Sequence, residues 1–150
     1  KVATLRHAIP FDETLLIFSD QSQFILGGGQ TFLSPKNVNI NVTTEFEASL
    51  LAKPVGAGGN IYFPFTKGNF SGVREFFVNA ESDSNDADDV TGHVPKYVPK
   101  NIFKMAKATN ENILVALSSE EQTTKARLLD KIILSNILGK VSSKVHLDKA

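Results

Sequence analysis

The sequence of 150 residues contains no cysteine and no tryptophan, and its formal net charge is zero. The absence of cysteine excludes a disulfide scaffold, a thiolate zinc site and a cysteine nucleophile. The 16 lysines and arginines balance 16 aspartates and glutamates. This balance argues against a dedicated nucleic-acid binder, because such proteins gain affinity when basic side chains displace counterions from phosphates. It is compatible with a surface past which nucleic acid slides without sticking.

Long apolar runs are also missing. No run approaches the roughly 20 residues that a membrane-spanning helix needs, and no signal-peptide pattern opens the chain. The first residue is Lys1 and the apolar pattern begins almost at once. We therefore interpret the chain as an internal piece of a longer protein.

The residues that are present favour strands and turns, with 11 phenylalanines, 10 glycines and 6 prolines. Short apolar runs alternate with turn residues, and no alternation of strands with helices precedes residue 120. The pattern predicts an antiparallel, mainly β protein. The predicted strands lie at residues 15–18, 24–26, 38–42, 61–63, 73–78 and 113–117.

A polar turn that leads into an apolar strand occurs three times. The turns are Asp12-Glu13-Thr14, Gly58-Gly59-Asn60 and Asn110-Glu111-Asn112. Their spacing is close to the period of about 40 to 50 residues found in β-propeller blades. Three units are too few to close a ring of about four to eight blades, so the pattern predicts an open, partial β-propeller-like arc of hairpins. The alternative is that any β protein repeats turns and strands.

Gly28, Gly29 and Gln30 form the tripeptide that peptide-chain release factors use to hydrolyse peptidyl-tRNA, and Gly27 extends the run of glycines to residues 27–29. Here the tripeptide follows a predicted strand directly and has no basic flank. No Lys-Ser or Lys-Thr follows the glycines, so a phosphate-binding loop is not indicated either. We interpret the run as a wide turn or bulge that uses the conformational freedom of glycine.

The acidic segment at residues 81–89 has alternating oxygen ligands that could hold calcium. It lacks the central glycine and the closing glutamate of an EF-hand, so a solvated turn or a short capped helix is the favoured interpretation. His93 is interpreted as a lone structural histidine, and His7 and His146 have no acidic or nucleophilic neighbours at a useful spacing. The sequence therefore predicts no enzyme, no catalytic residues, no metal ligands and no cofactor.

Four stretches between residue 5 and about residue 119 share their order and spacing with one known family. They are HAIPFDETLLIFSDQSQFIL, LSPKNVNINVTTEFEAS, NFSGVREFFVN and DDVTGHVPKYVPKNIF. Their motifs include His7 with Pro10 and Phe11, the Ser-Pro-Lys segment at residues 34–36, Gly-Val-Arg-Glu at residues 72–75, and Asp89 to Tyr97. In these stretches the chain resembles tail tubular protein B, the nozzle protein family of short-tailed, podovirus-type bacteriophages.

The resemblance implies a non-enzymatic, structural role in the virion tail. It implies that six copies form a tapering tube below an adaptor ring of tail tubular protein A. Tail fibres would attach around its upper part, and DNA would pass through it without sequence-specific binding. The alternative from the residues alone is a binding module, a β-propeller fragment that recognises a glycan or a protein partner.

Residues 122–150 depart from the family pattern, whereas residues 1–121 form the predicted β part. Leu129, Ile133, Ile137, Val141 and Val145 recur every four residues among polar residues, which predicts an amphipathic helical tail. With freely chosen codons, residues 142–149 read one nucleotide downstream can give Ala-Val-Lys-Ser-Thr-Trp-Thr, which is closer to the family. We hypothesise that the tail is a frameshift product and not native.

Overall fold

The computed structural model describes residues 3–27, 35–82, 84–108 and 113–119, together with the backbone of residues 130–135 and 140–145. Within these ranges the chain forms strands and turns and no helix. The strands are β1 His7–Phe11, β2 Thr14–Phe18, β3 Gln23–Gly27, β4 Asn39–Thr44, β5 Val55–Ala57, β6 Asn60–Lys67, β7 Phe70–Asn79, β8 Ser84–Asp89, β9 Ile102–Lys107, β10 Ile113–Ser118, β11 Asp130–Ser135 and β12 Lys140–Val145.

The strands form three four-stranded sheets, and each sheet is an antiparallel meander in chain order. Sheet A contains β1 to β4, sheet B contains β5 to β8, and sheet C contains β9 to β12. The prediction of an antiparallel, mainly β protein is therefore confirmed. The described strands do not close into a barrel or a propeller.

The three polar turns found in the sequence occupy the same place in each sheet. Asp12 and Glu13 connect β1 to β2, Gly58 and Gly59 connect β5 to β6, and the third turn lies between β9 and β10, outside the described residues. Both glycines have positive φ, 63° and 86°, as a two-residue type I′ hairpin requires. The repeat is therefore the first hairpin of each successive sheet.

Sheet B lies between sheets A and C, and alternation along its strands supplies an apolar face to each neighbour. On β6, Ile61 and Phe63 pack against sheet A, whereas Tyr62 packs against sheet C. The core between sheets A and B contains Phe11, Leu16, Phe18, Ala48, Ile61, Phe63, Phe76 and Ala87. The core between sheets B and C contains Ala52, Tyr62, Val73, Val98, Ile102, Met105, Leu114 and Ala116.

Corresponding strands of the three sheets contact each other. The first strands meet in order, β1 with β5 and β5 with β9, and the last strands β4 and β8 also meet. The chain must therefore cross from the last strand of one sheet to the first strand of the next, and we call each of these connecting segments a return.

A buried glutamine holds the first return, which connects β4 to β5. The Gln23 amide donates to the Phe46 carbonyl oxygen (2.9 Å) and accepts from the Phe46 N–H (3.2 Å) and the Thr44 hydroxyl (2.7 Å).

The helix predicted for the tail is replaced by strands wherever the structure describes that tail. β11 pairs with β10 and β12 pairs with β11, so both extend sheet C. An apolar repeat of four residues fits one face of a helix, but four is also a multiple of the two-residue strand period. The β-branched residues Ile132, Ile133 and Val141 and the open edge of β10 favour the strand. Residues 122–129, 136–139 and 146–150 of the tail lie outside the described residues.

Candidate functional site

The residues singled out for chemistry do not come together in the described structure. The Gly-Gly-Gln tripeptide and His146 lie outside the described residues. His7 contacts the Leu50 carbonyl oxygen through Nε2 at 2.9 Å, which ties β1 to the return between sheets A and B. His93 is exposed in a turn, so its interpretation as a structural histidine is wrong.

The acidic segment is mostly a strand and not the solvated turn or capped helix that we predicted. Ser84–Asp89 forms β8 and pairs with β7, whose hydrogen-bonding edge overrides the weak strand propensity of aspartate. In the part of the chain that the structure describes, no three histidines, cysteines or acidic residues are grouped to hold a metal ion.

Asp89 instead fixes the start of the return from sheet B to sheet C. Its Oδ1 accepts hydrogen bonds from the N–H (3.0 Å) and the hydroxyl (2.7 Å) of Thr91, and its Oδ2 lies 3.4 Å from Lys67 Nζ. The Thr91 Oγ1 then accepts the Val73 N–H at 3.2 Å. This chain of contacts passes close to Gly72 on β7, where a side chain would collide with Phe65 and Thr91.

Arg74 joins sheet B to the return that follows β4. Its guanidinium lies over the rings of Phe46 (4.7 Å) and Phe65 (4.6 Å), and Nη1 donates to the Ala87 carbonyl oxygen at 3.3 Å. Its Nε is buried and has no hydrogen-bond partner among the residues that the structure describes. The guanidinium is therefore held mainly by the two aromatic faces.

Glu75 lies on the opposite face of β7, towards sheet C. Its Oε1 accepts hydrogen bonds from the hydroxyl of Tyr62 at 2.5 Å and from Asn60 Nδ2 at 2.7 Å. The sequence analysis missed this contact, although the two-residue turn after Lys67 sets a register that pairs Tyr62 with Glu75. With only 3% of Tyr62 exposed, this buried side chain offers no platform for a sugar ring.

The outward face of sheet A, which points away from sheet B, is apolar, and it is exposed on the outer strands β1 and β4, whereas Ile17 on β2 is only 8% exposed. Two cross-strand rows form it, and the register places their members side by side. The first row is Pro10, Leu15, Leu26 and Ile40, and the second is Ala8, Ile17, Phe24 and Val42. Ile40 and Val42 are 54% and 55% exposed, and a patch of this kind is typical of an interaction surface.

The polar contacts described above hold strands and returns together, and the outward face of sheet A is apolar. An apolar face of this kind is typical of an assembly surface. None of the described residues forms a helix that is long and apolar enough to cross a membrane.

Two comparisons identify the family. The sequence model of the family described as bacteriophage nozzle protein matches residues 1–126. The chain is also 38% identical over 119 residues to the tail tubular protein gp12 of Escherichia phage T7, an alignment that covers 79% of this chain and 15% of that protein. The chain thus spans about a seventh of the length of this curated relative. The resemblance found in its motifs is confirmed, and the chain belongs to the bacteriophage nozzle protein family.

Proposed function

We propose that this chain is part of a structural component of a bacteriophage tail tube, the nozzle through which DNA is ejected into the host. The observation that carries the proposal is the family match over residues 1–126. The polar contacts of Arg74, Glu75 and Asp89 support it, because each holds strands or their connections together. The chain is therefore assigned no substrate and no cofactor.

The proposed partners follow from the family. Six copies of the complete protein form the tube, which binds an adaptor ring of tail tubular protein A and carries tail fibres. DNA passes through the bore without sequence-specific binding. The zero net charge supports this role, since a strongly basic wall would hold the phosphates and slow ejection.

The three sheets form a partial β-propeller-like arc. Three observations support this arrangement: the sheets are successive four-stranded meanders, their first strands contact each other in order, and sheet B is covered on both faces. Propeller blades share these features, and a closed ring needs about four to eight of them. A further sheet of the longer polypeptide covers the outward face of sheet A.

A density map of the complete protein checks the arc. We expect a further four-stranded sheet to pack on the row formed by Pro10, Leu15, Leu26 and Ile40. Its first strand should lie beside β1, on the face opposite to the one that β5 contacts. An outward face of sheet A that is open to solvent in the complete protein would contradict the arc. It would leave the tail role intact, because that role depends on the family match.

Antibody labelling of intact particles tests the tail role. Antibodies raised against this chain should bind at the tail of the phage that encodes it, and should not bind the capsid. Absence of label from the virion, with the protein found free in the lysate, would refute the structural role. The alternative of a glycan-binding module is not favoured, because the family model that matches residues 1–126 describes a nozzle protein.

A further inference from the structure

Sheets A and B correspond to each other residue by residue. Both begin with a hairpin closed by a two-residue turn, which pairs Phe11 with Thr14 in sheet A and Ala57 with Asn60 in sheet B. Counting from these turns along the paired strands gives each residue of sheet A a counterpart in sheet B. On the outward face of sheet A the residues Leu15, Ile17, Leu26 and Ile40 have the counterparts Ile61, Phe63, Phe76 and Ala87.

The counterparts in sheet B are covered by the sheet that precedes them in the chain. All four are at most 4% exposed and lie in the core between sheets A and B. Two ring pairs make this contact, Phe11 with Phe76 and Phe18 with Phe63, each with centroids 5.1 Å apart. On sheet A, by contrast, Ile40 is 54% exposed. The same face is thus buried in sheet B and open in sheet A.

The first strands of the two sheets show the same difference. Before and within β5, Pro54 is buried, and Ile9 Cδ1 of sheet A lies 3.8 Å from the place that a Cβ atom would take on Gly56. The counterparts of Pro54 and Gly56 are Ala8 and Pro10 on β1, and both are exposed. Because a sheet must bury its apolar faces against other elements, the outward face of sheet A needs a cover of the same kind.

We propose that the segment of the complete polypeptide directly upstream of residue 1 folds into the sheet that covers this face. It stands to sheet A as sheet A stands to sheet B, because the described sheets stack in chain order and neighbours in the stack are neighbours in the chain. This assignment rests on the proposed arc and names the segment and the side chains that extend it. The contact lies within one polypeptide, so it leaves the cyclic assembly of six copies to other surfaces.

The upstream sheet must present an apolar hairpin like the one formed by β1 and β2. Its counterpart of Phe11 would lie against Leu26, as Phe11 lies against Phe76. Its counterpart of Phe18 would lie against Ile17, as Phe18 lies against Phe63. We therefore expect a large apolar residue at both positions, with a two-residue turn directly after the first of them.

Site-specific photo-cross-linking in the complete protein tests the assignment. A benzophenone side chain replaces either Ile40 or its neighbour Asn41, which is also exposed but points to the opposite face of β4. Mass spectrometry then identifies the attached peptide. The probe at Ile40 should attach to a peptide upstream of residue 1 in the same polypeptide, and the product should keep the mass of one chain on a denaturing gel. The probe at Asn41 should give at least about tenfold less of this product, because the yield follows the local concentration of the target.

Thiol labelling of the complete protein, with a single cysteine present, provides the second measurement. Ile40→Cys should react at least about tenfold more slowly than Asn41→Cys, because a covered thiol is inert. Equal labelling rates would overturn the assignment. A cross-link from Ile40 to a second copy or to a peptide downstream of residue 150, or no cross-link above the Asn41 control, would overturn it as well. These outcomes leave the tail role intact, because antibody labelling of the virion tests that role separately.

Discussion

Arg74 is the residue whose removal should most directly weaken the contact between sheet B and the return after β4. Arg74→Ala deletes a side chain that contacts two phenylalanine rings and the Ala87 carbonyl oxygen. We expect a loss of about 1–3 kcal/mol in the free energy of unfolding, from cation–π contact and from packing of the aliphatic stem. Urea denaturation followed by circular dichroism measures this loss.

Two further variants separate the causes of that loss. Arg74→Met keeps an apolar stem between Phe46 and Phe65 and removes the charge, so its stability should lie between those of the natural chain and Arg74→Ala. Lys104→Ala, at an exposed position on β9, should change stability little. Unchanged stability in Arg74→Ala would mean that the guanidinium is effectively solvated and that the contact has no energetic weight.

Gly72 is required because of close packing and not because of its backbone conformation, since its φ is not positive. A Cβ atom there would lie 2.5 Å from Phe65 Cζ and 2.9 Å from Thr91 Oγ1. Gly72→Ala should therefore destabilise the chain by about 1–3 kcal/mol through overpacking. At Gly56 the nearest atom to such a Cβ is Ile9 Cδ1 at 3.8 Å, so Gly56→Ala should be tolerated. Similar melting temperatures for the two variants would contradict this account.

At the scale of single residues, strand alternation predicts faces but not partners. The alternation in GVREFFV places Arg74 with Phe76 and places Glu75 with Val73, and the structure confirms that each pair faces a different core. The rings over Arg74 could not be predicted, because Phe46 and Phe65 come from distant parts of the chain. The exposed position of His93 was also missed, since a single histidine carries no periodic signal.

At the scale of elements, the returns between sheets depend on a few buried polar groups. Gln23 is fully buried and makes three hydrogen bonds to Thr44 and Phe46. Gln23→Leu has a similar size but leaves the Thr44 hydroxyl and both backbone groups of Phe46 without these partners. We expect a loss of about 2–4 kcal/mol in the free energy of unfolding, because unsatisfied buried groups are costly.

The control for Gln23→Leu is Asn41→Leu, at an exposed position on β4. It also replaces a side-chain amide by leucine and should alter the unfolding midpoint in urea only slightly. If both variants unfold at the midpoint of the natural chain, Gln23 does not fix the return from sheet A to sheet B.

The gene sequence tests the hypothesis that the tail is a frameshift product. We expect the codons of residues 142–149, read one nucleotide downstream, to encode Ala-Val-Lys-Ser-Thr-Trp-Thr. Nucleotide sequencing of the gene provides the answer. Codons that forbid this reading would end the hypothesis.

The hairpins of the first part of the chain were more predictable from the sequence than the secondary structure of the tail. The hairpins were predictable because Asp12-Glu13, Gly58-Gly59 and Gly68-Asn69 are turn pairs between apolar runs. β8 was missed because Ser-Asn-Asp-Ala-Asp-Asp has low strand propensity and pairs only because β7 offers it an edge. The tail was misread because a four-residue repeat fits both a helix and a strand.

At the scale of the whole molecule, assembly is the property on which the proposed function depends. The three sheets leave an apolar face on sheet A and an uncharged edge on β4, and the chain has no net charge to keep copies apart. The repeat of turns indicated several similar units. The sequence could not indicate which face stays open, because that depends on the order in which the sheets stack.

The most direct test of the central claim is negative-stain electron microscopy of the complete protein mixed with its adaptor protein. The account predicts rings or short tubes with a central bore, most readily of sixfold symmetry, because cyclic closure satisfies interfaces that would otherwise grow into filaments. A complete protein that stays monomeric with the adaptor and binds a sugar instead would contradict the account.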